Sequence, residues 1–414
     1  MARKLIEVEE ARRLVTDSVE RLESERAALR DALGRVLAED VTSGEPVPGF
    51  DNSAMDGFAV RAADTAGAAP GAPVRLQVVD ESRAGRPATS GVRPGEAIRI
   101  STGAMLPEGA DSIVRVEEAS EREGAVETEV RTEPGRDVRR AGDDIEPGDV
   151  VLRAGATIGP AELGVLASVG HDAADCARRP RVAVVTTGDE LLDPAEPMSP
   201  GGVRNTNAWA LPALTRLAGA VPAGAAQAGD DPGVTREAIA VALEAADVAV
   251  ISGGISVGEH DHVRGALAEL GVEQRFWGVA LRPGRPSWFG VHADGPGAGG
   301  SLVFGLPGNP VSAMVTFLLF VRPALRMLQG ADPGRDRTTA ILDSGYKKGP
   351  GRTHALRVRL ELAQDGWHAE QTTEAQGSHI LTSMLGADAL AVIPAERESV
   401  AAGERVVVEL LPQV

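Results

Sequence analysis

Three short glycine-rich segments could bind an anionic ligand, because each follows a predicted buried strand. The segment TTGDEL lies at the end of the predicted strand VAVVTT and contains Asp189 and Glu190. The segment SGGISVGEHDH follows the predicted strand VAVIS, and the segment GLPGNPVS follows the predicted strand SLVFGL. Glycines let backbone N–H groups approach an anion closely, and a helix N-terminus beyond them adds a favourable dipole. Each segment alone is also typical of an ordinary turn. The hypothesis of a site therefore depends on all three meeting at one edge of a sheet, outside the carboxyl ends of its strands.

Two charged clusters follow these segments. The run EHDH (259–262) consists of adjacent residues, which rarely point at one ion, so a carboxylate that holds Mg²⁺ through oxygen is favoured over zinc. RPGRP places Arg282 and Arg285 on a Pro-Gly turn. Surface arginines are usually only solvated, but on a rigid turn of an acidic chain they could clamp an oxyanion.

Charge and composition exclude several classes of protein. Lys and Arg number 42 against 60 Asp and Glu, a formal net charge of −18, which argues against binding to nucleic acid or to an anionic membrane. The single Cys176 excludes an internal disulfide. Residues 1–20 are charged throughout, which argues against a signal peptide there. The apolar run near Met314 is far shorter than a membrane span. We expect a cytoplasmic protein.

No GxSxG elbow or P-loop motif occurs, so covalent nucleophilic catalysis has little support.

The elements that must position these residues change along the chain. The first 40 residues show apolar positions at helical spacing, and residues 41 to 145 show short β-type runs between Gly/Pro turns. From Arg181 strands alternate with helices, which predicts a doubly wound parallel sheet, and the last 80 or so residues return to short strands. Helices are expected over residues 160–168, 207–217, 235–245, 261–270 and, capped by Asn309, from 310 to 328.

Eight motifs occur in order: PGFDNSAMDGFAV, ISTGAMLPEGAD, VRRAGDDI, TTGDEL, SGGISVGEHD, RPGRP, FGLPGNPVSA and QGSHILTSML. Together they resemble the molybdopterin molybdenumtransferase family, which comprises the MoeA proteins and the gephyrin E domain. The resemblance spans nearly the whole chain, from about Ala11 to Val408. One such motif would be weak evidence, but eight in order are very specific.

The resemblance implies a multidomain α/β and β fold and an elongated homodimer. Each active site would lie between the α/β and C-terminal domains of one subunit and the inserted domain of the other. The four implied parts are a helical hinge and dimerisation domain (1–45 plus 145–178), an inserted β-rich domain (46–144), a molybdopterin-binding α/β domain (179–330) and a C-terminal β-barrel-like domain (331–414).

The implied activity is the insertion of molybdate into adenylylated molybdopterin, which releases AMP and forms molybdenum cofactor with the help of Mg²⁺. Carboxylates cannot hold these anions directly, so they would bind a cation that bridges the phosphates. The acidic and catalytic positions that match are Asp56, Thr102, Asp144, Glu190, Asp230 and Asp261, of which Glu190, Asp230 and Asp261 would be the metal ligands. The nucleotide end and the pocket would be formed by Ser252, Gly253, Gly254, Ser256, Gly258, Pro307 and Pro310. The groups near the oxyanion would be Arg282, Arg285, Ser312, Arg352 and Ser378.

The chain departs from the family pattern at a few positions. Arg282 and Arg285 stand where the family usually has lysines, which keeps the charge but changes geometry and hydration, and Phe58 replaces a common tyrosine. A tungstate preference therefore stays open. So do two other functions: a gephyrin-like scaffold that binds protein partners, and a molybdopterin adenylyltransferase, although the latter would leave three of the four parts unexplained.

Overall fold

The centre of the molecule is a six-stranded sheet. The structure is a computed structural model and describes residues 5–255 and 262–412. In spatial order the strands are Val221–Ala228, Arg181–Thr187, Val248–Ser252, Ser301–Leu306, Trp288–His292 and Glu273–Trp277. The first four are parallel, as predicted, but the last two pair antiparallel. The connections between the last strands are too short for the dozen or more residues that a parallel crossover needs.

Helices cover both faces of this sheet. On one face lie Asn207–Leu217 and the long helix that begins at Pro310, and on the other lie Pro232–Ala245 and Val263–Glu269. Alternate residues of the strand Arg181–Thr187 enter the two cores, because side chains of a strand point to opposite faces. The helix predicted over 235–245 begins three residues earlier, since the Asp231 side chain caps it by accepting from Val234 N.

The helix Pro310–Leu328 is long and apolar enough to span a membrane, but 78% of its most apolar window is buried inside the protein. It continues through a π-helical turn at Phe317–Val321. It is therefore a core helix of the α/β domain. Asn309 occupies the cap position that the sequence predicts, although its side chain makes no capping hydrogen bond.

The prediction of helix over the first 40 residues is wrong beyond Thr16. The helix Val8–Thr16 packs against the core helix, and the chain then forms the strand Ser24–Ala28. The apolar residues after Thr16 serve two different cores: Leu22 belongs to that of the α/β domain and Leu37 to a separate one. One continuous helix could not reach both.

The predicted hinge is also less helical than expected. Its own small core combines residues from both halves, including Leu37, Ile158 and Leu166. Its elements are two antiparallel strand pairs, a 3₁₀ turn and a helix at the predicted bounds, namely Ser24–Ala28 with Ala173–Ala177, Val41–Thr42 with Val150–Leu152, Leu29–Asp31 and Pro160–Ser168.

The inserted module is β-rich, as predicted. Its six-stranded sheet has the order Ser112–Arg115, Gly57–Val60, Glu96–Ile100, Val74–Ser82, Ala125–Thr128 and Ala119–Arg122. The pair Asn52–Ser53 and Val138–Arg139 joins the ends of the module.

The C-terminal strands close into a five-stranded barrel: Thr353–Ala363, Gly366–Gln371, Arg337–Leu342, Glu404–Leu410 and Ala389–Ile393, the last pairing back with the first. A sixth strand, Leu281–Arg282, comes from the α/β domain and pairs in parallel with Thr353 and His354. This pairing carries the RPGRP turn to the barrel. Two small pairs complete the structure, Leu191–Leu192 with Val203–Arg204 and Tyr346–Lys347 with Ser399–Val400.

Candidate functional site

A cavity of about 710 Å³ lies at the carboxyl ends of the parallel strands. We call it the strand-end cavity. It is formed by all three glycine-rich segments that the sequence singled out, together with Asp230, the turn 203–207 and Pro286. The predicted residues that line it are Glu190, Asp230, Ser252, Gly253, Gly254, Pro307 and Pro310. The expectation that these segments share one edge of the sheet is confirmed.

Gly188 makes room for Glu190. Gly188 has φ +139°, and a Cβ there would lie 2.4 Å from Glu190 Oε2. The Glu190 carboxylate therefore occupies the place that any side chain at 188 would take. The neighbouring Asp189 has a different role, because its Oδ1 accepts a hydrogen bond from Asp230 N at 3.0 Å and so ties two strand ends together.

The SGG segment closely approaches the first strand. Gly253 has φ +102°, and a Cβ there would be 2.7 Å from Thr187 O and from Thr187 Oγ1. Its backbone N–H donates to Leu306 O. Only glycine fits this position, which holds the SGG segment against both neighbouring strand ends.

Two asparagines of the cavity wall were missed by the sequence analysis. Asn205 donates from Nδ2 to Thr186 Oγ1 and Gln227 Oε1, both at 2.8 Å. Asn207 donates from Nδ2 to Ser252 Oγ and Gly308 O, also at 2.8 Å. The sequence feature that could have identified them is the polar run RNTN at the start of a predicted helix. It was not informative by itself, because Asn at a helix start ordinarily serves as a cap.

A second cavity of about 700 Å³ lies against the barrel, and we call it the basic cavity. Arg282 is its only wall residue from the α/β domain among those described, and the rest come from the C-terminal part of the chain. Among the described residues of its wall, the cations are Arg282, Lys347, Lys348 and Arg357, and the one carboxylate is that of Glu374. In a protein of net charge −18, this local excess of positive charge favours an anion over a cation in the cavity.

Arg357 is the most unusual residue of the basic cavity. Its side chain is fully buried, and its guanidinium donates only to neutral groups, namely Ser383 Oγ, Ala355 O and Gly377 O. Burial lowers the pKa of Arg357 to about 10. A buried cation is normally paired with a carboxylate. Arg357 makes no ion pair with the described residues, so no carboxylate among them balances its charge.

His354 and Tyr346 complete the wall of the basic cavity. Tyr346 Oη lies 2.8 Å from His354 Nδ1. Burial, together with the positive charges of Arg282, Lys348 and Arg352, lowers the pKa of His354 to about 4. The imidazole is therefore neutral at neutral pH and adds no charge to the cavity.

The other residues predicted near the oxyanion are more scattered. Ser378 lies between Gly377 and His379, which both line the basic cavity, and Arg352 is half-buried behind it, where its carbonyl accepts from Lys348 Nζ. Arg285 is exposed on the RPGRP turn. Ser312 is buried within the core helix, and neither Arg285 nor Ser312 lines either of the two cavities.

The predicted residues of the inserted module form a separate group. Asp56 Oδ1 accepts a hydrogen bond from Thr102 N at 2.8 Å, and both residues are exposed. Asp144 is exposed where the module joins the hinge, near the ion pair of Arg140 with Asp51. None of the described residues that line the two cavities belongs to this module.

Ser256, Gly258 and Asp261 lie outside the described residues. Within the described ranges no three Asp, Glu, His or Cys side chains converge on one point. Glu190 and Asp230 do line the same cavity, and their carboxylate oxygens are the ligands that Mg²⁺ prefers.

Three family profiles match successive parts of the chain. The profile "MoeA N-terminal region (domain I and II)" matches residues 6–170, "Probable molybdopterin binding domain" matches 183–327, and "MoeA C-terminal region (domain IV)" matches 339–411. A molybdopterin molybdenumtransferase of Haemophilus influenzae is 34% identical over 94% of each chain. Molybdopterin molybdenumtransferase 2 of Mycobacterium tuberculosis is 37% identical over 96% of this chain and 97% of its own.

A crystal structure of a molybdopterin biosynthesis MoeA protein from Pyrococcus horikoshii superposes with a TM-score of 0.84 at 30% identity, covering 99% of this chain and all of the other. Sequence and fold thus agree, and the chain belongs to the MoeA family of molybdopterin molybdenumtransferases.

Proposed function

We propose that the protein inserts molybdate into adenylylated molybdopterin, releasing AMP and forming molybdenum cofactor. The observation that carries this proposal is the pair of cavities. The strand-end cavity offers glycine-rich backbone, two helix starts and carboxylates, and the basic cavity offers cations to an oxyanion. An organic phosphate ester and an inorganic dianion need such different surroundings.

The RPGRP turn links the two cavities. Arg282 lines the basic cavity and Pro286 lines the strand-end cavity. Strand pairing with His354 holds the backbone of Arg282 against the barrel, and Arg282 lines the same cavity as Lys348 and Arg357. In this proposal these three cations orient the oxyanion, and Ser378 and Arg352 lie next to residues of the basic cavity.

Glu190 and Asp230 would hold Mg²⁺ in the strand-end cavity, with Asp261 as the third predicted ligand. When bound, the cation would neutralise the phosphates and polarise the anhydride. Asp189 connects the two strand ends through the hydrogen bond that it accepts from Asp230 N. Gly188 has no side chain and so leaves space for the Glu190 carboxylate.

The decisive experiment is the release of AMP from adenylylated molybdopterin. We expect release that depends on molybdate and on Mg²⁺. A scaffold without transferase activity would release none, and an adenylyltransferase would form the adenylylated substrate from ATP without any need for molybdate.

Glu190→Gln is expected to lower turnover by about 10- to 100-fold, the usual cost of disturbing a metal site, while the unfolding temperature stays unchanged because Glu190 is exposed and supplies charge rather than packing. The measurement is AMP release at saturating molybdate over a Mg²⁺ titration. Glu196→Gln, in the same loop, is the control. Turnover within twofold of the parent would remove Glu190 from the site.

We also propose that the active unit is a homodimer in the cytoplasm. Asp56 and Thr102 are bonded to each other but lie on a module that contributes nothing to either cavity in the described chain, so a second subunit would bring them to the site. Light scattering at micromolar concentration should give about twice the 42.9 kDa chain mass. A monomer alone at that concentration would refute this part of the proposal.

A further inference from the structure

Asn207 has a buried oxygen that no described residue satisfies. Its side chain is 6% exposed, and Oδ1 has no hydrogen-bond partner among the described residues, although the residue lines the strand-end cavity. A buried acceptor that is left unpaired destabilises the protein, because it has lost its hydrogen bond to water without gaining another. Because Asn207 lines the cavity, a donor on a bound ligand is one group that would satisfy this oxygen.

The orientation of the Asn207 amide is determined by its neighbours. Ser252 Oγ donates its only proton to Pro307 O, so it must accept from Asn207 Nδ2, and Gly308 O accepts the second amide proton. Both partners can only accept here. The amide cannot be reversed, and its oxygen faces away from the SGG and PGN segments that the nitrogen joins.

Asn205 lacks this feature, although it is 4% exposed and lines the same cavity. Its Nδ2 has two acceptors, and its Oδ1 accepts from Ala208 N at 3.2 Å. The two asparagines thus share residue type, burial and location. They differ in that only Asn207 has an unused acceptor.

The chemistry of the missing partner excludes the anionic parts of the substrate. Phosphate and molybdate oxygens are acceptors at neutral pH and would repel Asn207 Oδ1. An amine or ring N–H of a nitrogen heterocycle is a donor. We infer that Asn207 is a specificity-determining residue whose Oδ1 accepts a hydrogen bond from the amino-substituted heterocycle of the substrate.

This inference rests on the proposed function for the identity of the heterocycle, which is either the pterin or the adenine. Both carry an exocyclic amine, so the shared chemistry is the amino edge of a fused nitrogen ring. The site would discriminate against a ring without that donor, because the buried oxygen would then stay unpaired.

The test measures binding by calorimetry with two pairs of probes: AMP against purine riboside 5′-monophosphate, and pterin against 2-(dimethylamino)pterin. In the parent protein we expect one pair to differ by about tenfold in Kd, the scale of one hydrogen bond. The pair that responds identifies the ring. If neither pair differs by more than twofold, the inference is overturned without any variant.

The variants Asn207→Ala and Asn205→Ala are the matched pair. In Asn207→Ala the two probes of the responding pair should bind within twofold of each other, whereas Asn205→Ala should keep the parent's ratio. Equal loss of the ratio in both variants would show that loop geometry and not the acceptor is responsible. Ribose 5-phosphate is the third probe, and a tenfold loss of its affinity in Asn207→Ala would assign the donor to a hydroxyl and overturn the inference.

Failure of the inference can be told from failure of the proposed function. Probe binding needs neither molybdate nor turnover. Absence of molybdate-dependent AMP release from the parent would overturn the function, while the Kd ratios would still decide the role of Asn207.

Discussion

Replacing Arg357 by methionine is expected to raise the molybdate concentration for half-maximal AMP release by about 10- to 100-fold. Arg357 is fully buried without a carboxylate partner, and a hydrogen bond to a charged group contributes about 1.5–3 kcal/mol. Mg²⁺ dependence should change little, because the carboxylates that would hold the cation lie in the other cavity.

The control for Arg357→Met is Arg359→Met. Arg359 lies on the same strand, carries the same charge and is exposed, so the two variants change net charge equally. Without oxyanion, Arg357→Met should be somewhat less stable than the parent, because Ser383 Oγ, Ala355 O and Gly377 O lose their guanidinium donor, and a buried acceptor left unpaired costs about 1–3 kcal/mol. Parent-like molybdate dependence in Arg357→Met would place the oxyanion elsewhere, with Arg352 and Ser378 as the next candidates.

The second large effect is expected on stability. Asp247 is 1% exposed and accepts two bonds at 2.9 Å from Arg178 and one at 2.7 Å from Arg181 N. These bonds raise the pKa of Arg178 and join the hinge to the central sheet. Asp247→Ala would remove the bidentate partner of Arg178 and the acceptor of Arg181 N, while the ion pair of Arg178 with Glu23 remains, so the free energy of unfolding should fall by about 1–3 kcal/mol.

Urea unfolding followed by circular dichroism measures this change. The control is Asp17→Ala, which breaks the exposed pair of Asp17 with Arg13 and should cost under about 1 kcal/mol. If Asp247→Ala unfolds at the same urea concentration as Asp17→Ala, the Arg178 pair does not hold the two modules together.

Local patterns were enough to predict the central elements and the strand-end cavity. The strands Val248–Ser252 and Ser301–Leu306 are continuous apolar runs, which is typical of strands buried on both faces. Strands that alternate with helices make a parallel sheet, and parallel strands bring their carboxyl ends to one edge. The glycine-rich segments after these strands therefore lie at the same edge of the sheet, and the sequence alone predicts that residues such as Glu190 and Ser252 lie there.

The basic cavity and the role of each asparagine were decided by tertiary structure. Arg282 meets Arg357 and Lys348 because the strand Leu281–Arg282 pairs with a barrel strand about 70 residues later in the chain, and no local pattern encodes that register. Asn205 and Asn207 look alike in the sequence, yet only the packing of two distant loops leaves one oxygen unpaired. The sequence by itself determined which segments carry chemistry, whereas long-range pairing and burial decided which charges and acceptors face a ligand.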